Sequence, residues 1–355
     1  MNCRLNILKS LLKEREIDAF LILKPVNVTY ITGFTGDDSV AIISRDVSAF
    51  ITDSRYVEQA QDEVSGLEIL QYKYTMNDAI KEFVDKFNIK RLGFEEDFIT
   101  YAQYSSLHKK LCIDLIPQKN LIEDMRKIKD DSEIENIKKA QYITDETFKY
   151  FLSYIKIGME EKYIAVEMEY YMKKLGAEEK SFDFIVASGK RSSLPHGKAS
   201  NKKIEYGDFV IFDFGCKVNG YCSDMTRTIV MGKASDKQKE IYNIVLEAQM
   251  NAINNLKSGI KECEGDNLAR KIINDKGYGK YFGHSLGHGV GLEIHEAPLM
   301  GTLGQNILQP NMVVTVEPGI YIYDFGGVRI EDMVLLKEGG VIDLTNSPKH
   351  LIEVN

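Results

Sequence analysis

Apolar residues in the first part of the chain recur at the two spacings that distinguish helices from strands. Leucines at positions 5, 8, 11 and 12 share one helical face, so residues 5–16 are predicted to form an amphipathic helix. Short continuous apolar runs predict buried strands at residues 19–23, 40–44, 49–52, 69–72 and 91–95.

Other segments of this region predict helices and turns. Residues 77–87 have helical spacing, and Asp53 is a good N-cap for a helix that opens with residues 53–56. Residues 30–36 (YITGFTG) predict a turn-rich corner. Strands alternating with helices over about 115 residues are typical of a compact α/β unit, and this unit contains no evident catalytic constellation.

The pattern changes at Leu121, where charged residues at helical spacing replace the alternation. Residues 121–143 are predicted to be helical throughout, with Asp131 as a plausible helix start. We therefore predict two domains, residues 1–121 and residues 122–355. The chain length also favours two domains, because single domains rarely grow beyond about 300 residues.

A weak internal repeat follows this boundary. Residues 155–161 (IKIGMEE) return as residues 256–262 (LKSGIKE), 101 positions later. Each copy predicts a helix, a glycine turn and a second helix. Because solenoid units span only about 20–50 residues, the repeat instead predicts a domain with pseudo-two-fold symmetry and a cleft between its halves.

Residues 209–232 predict a β-hairpin, because apolar strand sequence flanks Asn219-Gly220, the strongest short turn signal. With the turn at these two residues, Gly215 faces Asp224. We expect the glycine to leave an open space opposite that aspartate.

The same register directs two carboxylates to one face of the hairpin. Asp213 lies opposite Thr226, so Asp213 and Asp224 become diagonal neighbours with Cβ atoms roughly 7 Å apart. Two carboxylates on an apolar face repel each other unless a cation lies between them. Two exposed strand aspartates are the alternative interpretation.

Half of the six histidines lie within residues 282–296 (FGHSLGHGVGLEIHE), at His284, His288 and His295. Neutral imidazole is the commonest nitrogen ligand for metals, and glycines let the backbone approach a ligand or ion closely. This cluster predicts a metal or catalytic site. The alternative, a buried histidine held in a glycine-rich turn, explains one histidine better than three. His196, in a loop between Pro195 and Gly197, gains significance only if that loop faces the metals.

Two further carboxylates follow in apolar strand sequence. Residues 312–322 contain Glu317, and residues 326–336 carry Arg329 and Glu331 on one face. A five-ligand set results: Asp213, Asp224, His288, Glu317 and Glu331. Because carboxylates can bridge, this set suffices for two divalent ions about 3.5–4 Å apart, and its oxygen-rich character favours Mn²⁺ or a similar hard ion.

Composition excludes several classes of partner. The net charge is −8, with 45 basic residues dispersed among 53 acidic ones, which argues against nucleic acid or an anionic membrane as a partner. The five widely spaced cysteines form no CxxC motif and suit a reducing compartment. Without an apolar signal segment or spanning run, we expect a cytoplasmic protein.

Several blocks of the chain resemble the pita-bread metallopeptidases, and within them the Xaa-Pro peptidases, aminopeptidase P and prolidase. The resemblance covers nearly the whole chain, and its blocks are LPHGKAS, GYCSDMTRT, HSLGHGVGLEIHE, VEPGIYI and GGVRIED. It implies a creatinase/prolidase-like α/β N-terminal domain followed by an α+β pita-bread catalytic domain with pseudo-two-fold symmetry. It also implies a homodimer.

The resemblance assigns roles residue by residue. The five-ligand set falls on the family's metal ligands for two divalent ions, with manganese favoured and cobalt or zinc as alternatives. Glu317 is implied to take a proton from the attacking water. The histidines are implied to touch the substrate: His196 and His295 at the tetrahedral intermediate, and His284 beside the proline side.

Two more residues resemble family positions that hydrogen-bond the metal ligands. These are Tyr321 and Arg329, and Arg329 is implied to orient a carboxylate.

We predict an Xaa-Pro aminopeptidase acting on peptides with proline in second position, with an Xaa-Pro dipeptidase (prolidase) as the alternative. The blocks YITGFTG, ITDSRY and LGFEE resemble the aminopeptidase branch more closely, although the short chain also suits prolidases. Methionine aminopeptidases usually lack such a first domain. Non-catalytic peptide-binding relatives have typically lost metal ligands, and creatinase-like amidinohydrolases work without metal, so the intact ligand set argues against both.

Overall fold

The computed structural model describes residues 2–355, which divide into two compact units after Arg126. The division falls a few residues beyond the predicted boundary at Leu121. The Arg126 guanidinium donates to the Asn27 side-chain oxygen at 2.8 Å, which ties the last helix of the first unit to an earlier one.

Helices and strands alternate through the first unit. In chain order they are α1 (Asn2–Glu14), β1 (Ala19–Ile22), α2 (Pro25–Thr32), β2 (Ser39–Ser44), β3 (Ser48–Thr52), α3 (Val57–Glu63), β4 (Glu68–Gln71), α4 (Met76–Lys86), β5 (Arg91–Glu95), α5 (Tyr101–Leu111), β6 (Asp114–Gln118) and α6 (Leu121–Arg126). The strands form one mixed sheet in the order β4-β3-β2-β1-β5-β6. The predicted α/β unit, its first helix and its five predicted strands are confirmed.

Two local predictions for this unit need correction. The expected corner at residues 30–36 begins only at Gly33, which has a φ of 83°, because residues 30–32 are the end of α2, whose Val28, Tyr30 and Ile31 are buried. Its β-branched residues have low helix propensity, so tertiary burial decides the structure here. Asp53 does not cap α3, because its carboxylate accepts hydrogen bonds from the backbone and guanidinium of Arg55.

The charged segment after Leu121 is also interrupted. Between α6 and the next helix, the Lys129 N–H donates to the Asn311 carbonyl at 2.9 Å, outside any helix. The next helix then starts with a capping box, in which Asp130 and Glu133 satisfy each other's backbone N–H groups. Continuous helix from 121 to 143 is therefore corrected to two helices.

The second unit consists of helix pairs and mostly antiparallel strands. In chain order its elements are α7 (Asp131–Tyr154), α8 (Glu161–Lys174), β7 (Glu179–Lys180), β8 (Ile185–Ser188), β9 (Phe209–Phe214), β10 (Cys216–Val218), β11 (Tyr221–Cys222), β12 (Met225–Met231), α9 (Asp236–Asn255), α10 (Glu262–Asp275), β13 (Gly287–Gly289), β14 (Glu296–Met300), β15 (Val313–Val316), β16 (Gly319–Ile322), β17 (Gly326–Arg329), β18 (Asp332–Lys337), β19 (Gly340–Asp343) and β20 (Ile352–Val354).

Two larger sheets organise this unit. One has the order β20-β12-β9-β8 and packs with α7 and α8 through a core that includes Phe148, Ile164 and Phe212. The other has the order β14-β13-β15-β18-β19 and shares a core with α9 and α10 that includes Val245 and Val334. Among residues 2–355, no helix has both the length and the apolar character needed to cross a membrane.

The internal repeat is confirmed in backbone geometry. Ile155 and Leu256 end their helices with nearly equal dihedral angles, and the turn glycines Gly158 and Gly259 have φ values of 92° and 89°. Both α8 and α10 then run for 14 residues. The two halves of the second unit therefore share the same succession of helix, glycine turn and helix.

The predicted hairpin register is confirmed. Asp213 pairs with Thr226, and Asn219 and Gly220 have φ values of 48° and 78°, as a two-residue hairpin turn requires. The open space expected at Gly215 is absent, because a Cβ there would lie 1.9 Å from the Ser223 carbonyl oxygen. The glycine instead lets the opposite backbone approach.

This contact gives a stability prediction. Gly215→Ala should lower the free energy of unfolding by about 1–3 kcal/mol or more, because the added methyl meets backbone that cannot rotate away. Gly283→Ala, at an exposed position with open space around it, should stay within about 0.5 kcal/mol of the wild type. Denaturant unfolding followed by circular dichroism measures both, and equal midpoints for the two variants would contradict the expectation.

Candidate active site

A cavity of about 780 Å³ lies within the second unit. Nearly all of the predicted site residues line it: His196, Asp213, Asp224, His284, His288, His295, Glu317, Arg329 and Glu331. Tyr321 reaches the same group through hydrogen bonds to Arg329 and His284. Residues more than 100 positions apart in the sequence thus meet at one place.

The two larger sheets deliver the candidate ligands. Asp213 lies in β9 and Asp224 directly precedes β12, as the hairpin predicts. His288 lies in β13, Glu317 directly follows β15, and Glu331 connects β17 to β18. All five side chains therefore extend from strands or strand ends, which restrict their positions.

The glycines beside His288 have a packing role. A Cβ at Gly287 would lie 2.0 Å from the Thr315 carbonyl oxygen, and one at Gly289 would lie 2.4 Å from that of Ala297. We expected these glycines to bring backbone close to a ligand or ion. Instead they allow β13 to fit between its two neighbouring strands, which sets the position of His288.

Electron-pair donors converge at the centre of the cavity. Ligand atoms of Asp224, His288 and Glu331 all lie within 4.8 Å of one another. The His288 Nδ1 lies 3.1 Å from the Gly289 carbonyl, which can only accept, so Nδ1 carries the hydrogen and Nε2 presents its lone pair. That Nε2 is 3.6 Å from Asp224 Oδ2 and 3.4 Å from Glu317 Oε1.

The negative charges of these buried carboxylates favour a cation among them. Burial, and then repulsion by the other carboxylates, raises the pKa of Asp224 and of Glu331 well above the usual range. Burial raises the pKa of Glu317 to about 8. Within the described residues, Asp213 Oδ1 and Asp224 Oδ1 are buried without a hydrogen-bond partner. Buried, unpaired carboxylate oxygens facing an imidazole lone pair fit divalent metal ions.

Arg329 supplies the fixed positive charge of the site. It is only 3% exposed, and its guanidinium donates to Asp213 Oδ2, to the Tyr321 hydroxyl at 2.8 Å and to Thr226 Oγ1 at 2.9 Å. Burial raises the pKa of Asp213, and the Arg329 charge opposes that rise. Arg329 therefore holds one oxygen of Asp213 and leaves the other facing the cavity.

Two threonines that sequence reasoning missed complete this arrangement. Thr226 Oγ1 donates to Glu331 Oε2 at 2.6 Å, and Thr315 Oγ1 donates to Glu317 Oε1 at 3.2 Å. Thr226 could have been found, because the hairpin register places it directly opposite Asp213. Thr315 also accepts from the His288 N–H across a strand pair, a contact with no local sequence signal.

The remaining histidines occupy two kinds of environment. Burial lowers the pKa of His284 to about 4, so its ring is neutral at pH 7; Nδ1 donates to the Ser285 carbonyl, and Nε2 accepts from Tyr321. His295 is more exposed, and its ring centroid lies 4.4 Å from that of His288. His196 is exposed and follows Pro195, whose carbonyl accepts from Arg329 at 3.2 Å.

Part of the cavity wall is apolar. It includes Phe182, Ile185, Ile294 and Leu299, none of which the sequence singled out. Isolated apolar residues carry no chemical signal in a sequence, so only the folded chain identifies them. The cavity therefore combines a floor of carboxylates and histidines, which could hold metal ions, with an apolar wall.

Two halves of one repeat around a cluster of carboxylates and histidines are the arrangement expected of a metal-dependent hydrolase. Residues 135–338 match the family model of metallopeptidase family M24, and residues 4–128 match that of the creatinase/prolidase N-terminal domain. The chain belongs to metallopeptidase family M24, and the predicted resemblance to pita-bread metallopeptidases and the predicted fold class are confirmed. Family membership also implies divalent metal ions.

Similar proteins cover almost the whole chain. The Xaa-Pro dipeptidase of Pyrococcus furiosus is 42% identical over 355 residues, covering 99% of this chain and 100% of that protein. The solved structure of an Xaa-Pro dipeptidase from Bacillus anthracis is 48% identical and has a TM-score of 0.97, with 99% of each chain covered. That of an X-Pro aminopeptidase from Thermotoga maritima is 42% identical, with a TM-score of 0.91 and coverage of 96% and 99%.

Metal affinity tests the ligand set. Asp224→Asn should weaken Mn²⁺ binding by more than about 100-fold, because it removes a charged ligand at the centre of the cluster. Asp183→Asn is the matched control, since Asp183 lines the same cavity but pairs with Lys180 and Lys198 near solvent; its affinity should change by about twofold or less. Calorimetric titration of metal-stripped protein measures both. Equal affinities would contradict the assignment.

The raised pKa values predict an inverted pH dependence of stability for metal-stripped protein. Between about pH 7.5 and about pH 8.5 the unfolded carboxyls are already ionised, whereas folded Glu317, with its pKa of about 8, must still release a proton. His284 and His288 have a pKa of about 4 in the folded state, and unfolded histidine has a pKa of about 6.5, so both are largely neutral in either state within this window. The urea midpoint should therefore fall as pH rises, and added Mn²⁺ should reverse the trend, since metals bind the ionised ligands. A midpoint that rises with pH without metal would contradict this.

Proposed function

We propose that the protein is an Xaa-Pro dipeptidase, which hydrolyses the bond between a first residue and a C-terminal proline. The near full-length similarity to the Pyrococcus furiosus and Bacillus anthracis dipeptidases carries this proposal. It supports the alternative stated from the sequence better than the aminopeptidase that we favoured there. The catalytic blocks are common to both activities, so they do not distinguish them.

An Xaa-Pro aminopeptidase is the second candidate. The Thermotoga maritima structure that bears this name is similar over 96% of the chain. The two activities differ in whether peptide may continue beyond the proline, so the length of the substrate separates them.

Two divalent ions would be held by five residues: Asp213, Asp224, His288, Glu317 and Glu331. Because most of these ligands are carboxylate oxygens, the set favours Mn²⁺ over Zn²⁺ or Co²⁺. When bound there, such ions lower the pKa of water to roughly 7 and polarise the peptide carbonyl. Arg329 and Thr226 keep Asp213 and Glu331 oriented by holding the carboxylate oxygens that they contact. These contacts fix the orientation of two of the five candidate ligands.

Glu317 would take the proton of the attacking water. Its Oε1 lies 3.4 Å from His288 Nε2 and accepts from Thr315 Oγ1. Burial already raises its proton affinity without metal. A carboxylate that accepts a proton readily inside the cavity is suited to general base catalysis.

The departing nitrogen needs a proton donor, because without one it would have to leave as a strongly basic amide anion. His196 and His295 both line the cavity and are more exposed than His288, which leaves either imidazole free to contact a bound peptide. In the proposed reaction their N–H groups bind the carbonyl oxygen, and the proton that Glu317 takes from water passes to the departing nitrogen, directly or through one of these imidazoles. Neutral His284, fixed by Tyr321, would line the proline side.

Peptide hydrolysis tests the proposal. Protein loaded with Mn²⁺, Co²⁺ or Zn²⁺ should cleave Ala-Pro at least about tenfold faster, in kcat/KM, than Ala-Pro-Ala-Ala, because a dipeptidase must reject chain beyond the proline. Met-Ala-Ala should stay uncut, and Asp224→Ala should be inactive on every peptide.

Cleavage of the tetrapeptide at the dipeptide's rate would favour the aminopeptidase instead. No cleavage by folded, metal-loaded protein would favour a peptide-binding module.

A further inference from the structure

Glu161 and Glu262 occupy equivalent positions of the internal repeat. Each is the first residue of its helix, α8 or α10, and their exposed fractions are 0% and 3%. Sequence alone marked them only as part of the repeat. Because a buried carboxylate is costly unless it is hydrogen-bonded, both require an explanation.

The first residue of each helix is hydrogen-bonded to the segment that follows a loop lining the cavity. The Glu161 N–H donates to the Lys202 carbonyl and the Glu262 N–H to the Asn306 carbonyl, both at 3.0 Å. The duplication therefore includes the attachment of one loop in each half.

The Glu161 carboxylate closes the loop of its own half. Oε1 accepts from the N–H and hydroxyl of Ser188, both at 2.8 Å. Oε2 accepts from the N–H of Ser200 at 3.0 Å, from its hydroxyl at 2.6 Å and from Arg191 Nε at 3.3 Å. One side chain thus joins both ends of residues 188–200, which we name the His196 loop.

The His196 loop is also held near its tip. Arg329 donates to the Pro195 carbonyl, one residue before His196, and the Gly327 N–H donates to Ser192 Oγ at 2.9 Å. Because Arg329 also holds Asp213, the tip is tied to the metal-binding floor. Glu161 fixes the base of the loop, and together these contacts restrict where the exposed imidazole can lie.

In the second half, the Glu262 carboxylate also accepts hydrogen bonds from a loop, but its partners differ from those of Glu161. The Glu262 carboxylate accepts from the Leu299 N–H at 3.3 Å and from the Asn306 side chain at 3.1 Å. Leu299 belongs to the apolar wall of the cavity, whereas no histidine lies between Leu299 and Asn306. Glu262 therefore offers a control of the same chemistry that does not hold His196.

We propose that Glu161 is a positioning residue for His196. By joining Ser188 to Ser200, it holds the His196 loop closed so that the imidazole faces the scissile bond. This role rests on the proposed peptidase function, in which His196 contacts the reacting groups. Glu161→Gln keeps the size of the side chain but replaces one accepting oxygen with an NH₂ group, which cannot accept from the serine donors.

A double-mutant cycle with His196→Ala tests the proposal on metal-loaded protein with Ala-Pro. Glu161→Gln should lower kcat/KM by about tenfold when His196 is present, because small misplacements of a catalytic group are costly. With alanine at 196 the same change should cost about twofold or less. Glu262→Gln should have the same proportional effect in both backgrounds.

Loop closure is measured separately by limited trypsin digestion. Lys190, Arg191 and Lys198 all lie in the His196 loop, so Glu161→Gln should accelerate cleavage there by about tenfold and Glu262→Gln should not. Ser200→Ala, which removes one hydroxyl donor, should show the same pattern more weakly and replaces Glu161→Gln if that variant fails to fold.

The outcomes separate this role from the proposed function. Equal losses from Glu161→Gln with and without His196, or wild-type activity in His196→Ala, would overturn the positioning role and leave the peptidase intact. A wild-type chain that cleaves no Xaa-Pro peptide would remove the proposed function and this role with it.

Discussion

Like charges held in one apolar cavity repel one another, and the architecture of the second unit keeps four carboxylates there despite that repulsion. Arg329 offsets part of it by binding Asp213, and the hydroxyls of Thr226 and Thr315 each bind one further carboxylate. Among the described residues, Asp213 Oδ1 and Asp224 Oδ1 are still buried without a hydrogen-bond partner. A divalent cation bound among these carboxylates would neutralise the remaining negative charge. The uncompensated charge of the folded chain therefore favours cation binding at this place.

The candidate metal ligands come from both copies of the internal repeat. The first copy contributes Asp213 and Asp224 through one hairpin, and the second contributes His288, Glu317 and Glu331. Close backbone approaches at Gly215 and Gly287 bring strands near enough for these side chains to meet. Packing of main chain against main chain therefore sets the distances on which the chemistry depends.

Local signals in the sequence were sufficient for a large part of this structure. The turn at Asn219 and Gly220 determines the hairpin register, so the relation of Asp213 to Thr226 follows from two residues. Helix α2 was missed because burial overrode the low helix propensity of its β-branched residues, and the cap at Asp53 failed because Arg55 captured its carboxylate. The choice between dipeptides and longer peptides was beyond the sequence, since both branches use the same catalytic blocks.

Duplication left the two halves of the second unit with the same helix starts but different loops. The Glu161 N–H donates to the Lys202 carbonyl, and the Glu262 N–H donates to the Asn306 carbonyl at the same distance. The chain between the two bonded residues is longer in the second half. In such a scaffold the start of the helix is kept in both halves, while the loop attached to it differs. Either loop can change in length or composition while its anchor persists, so the chemical machinery and the selectivity of one enzyme can evolve at different rates.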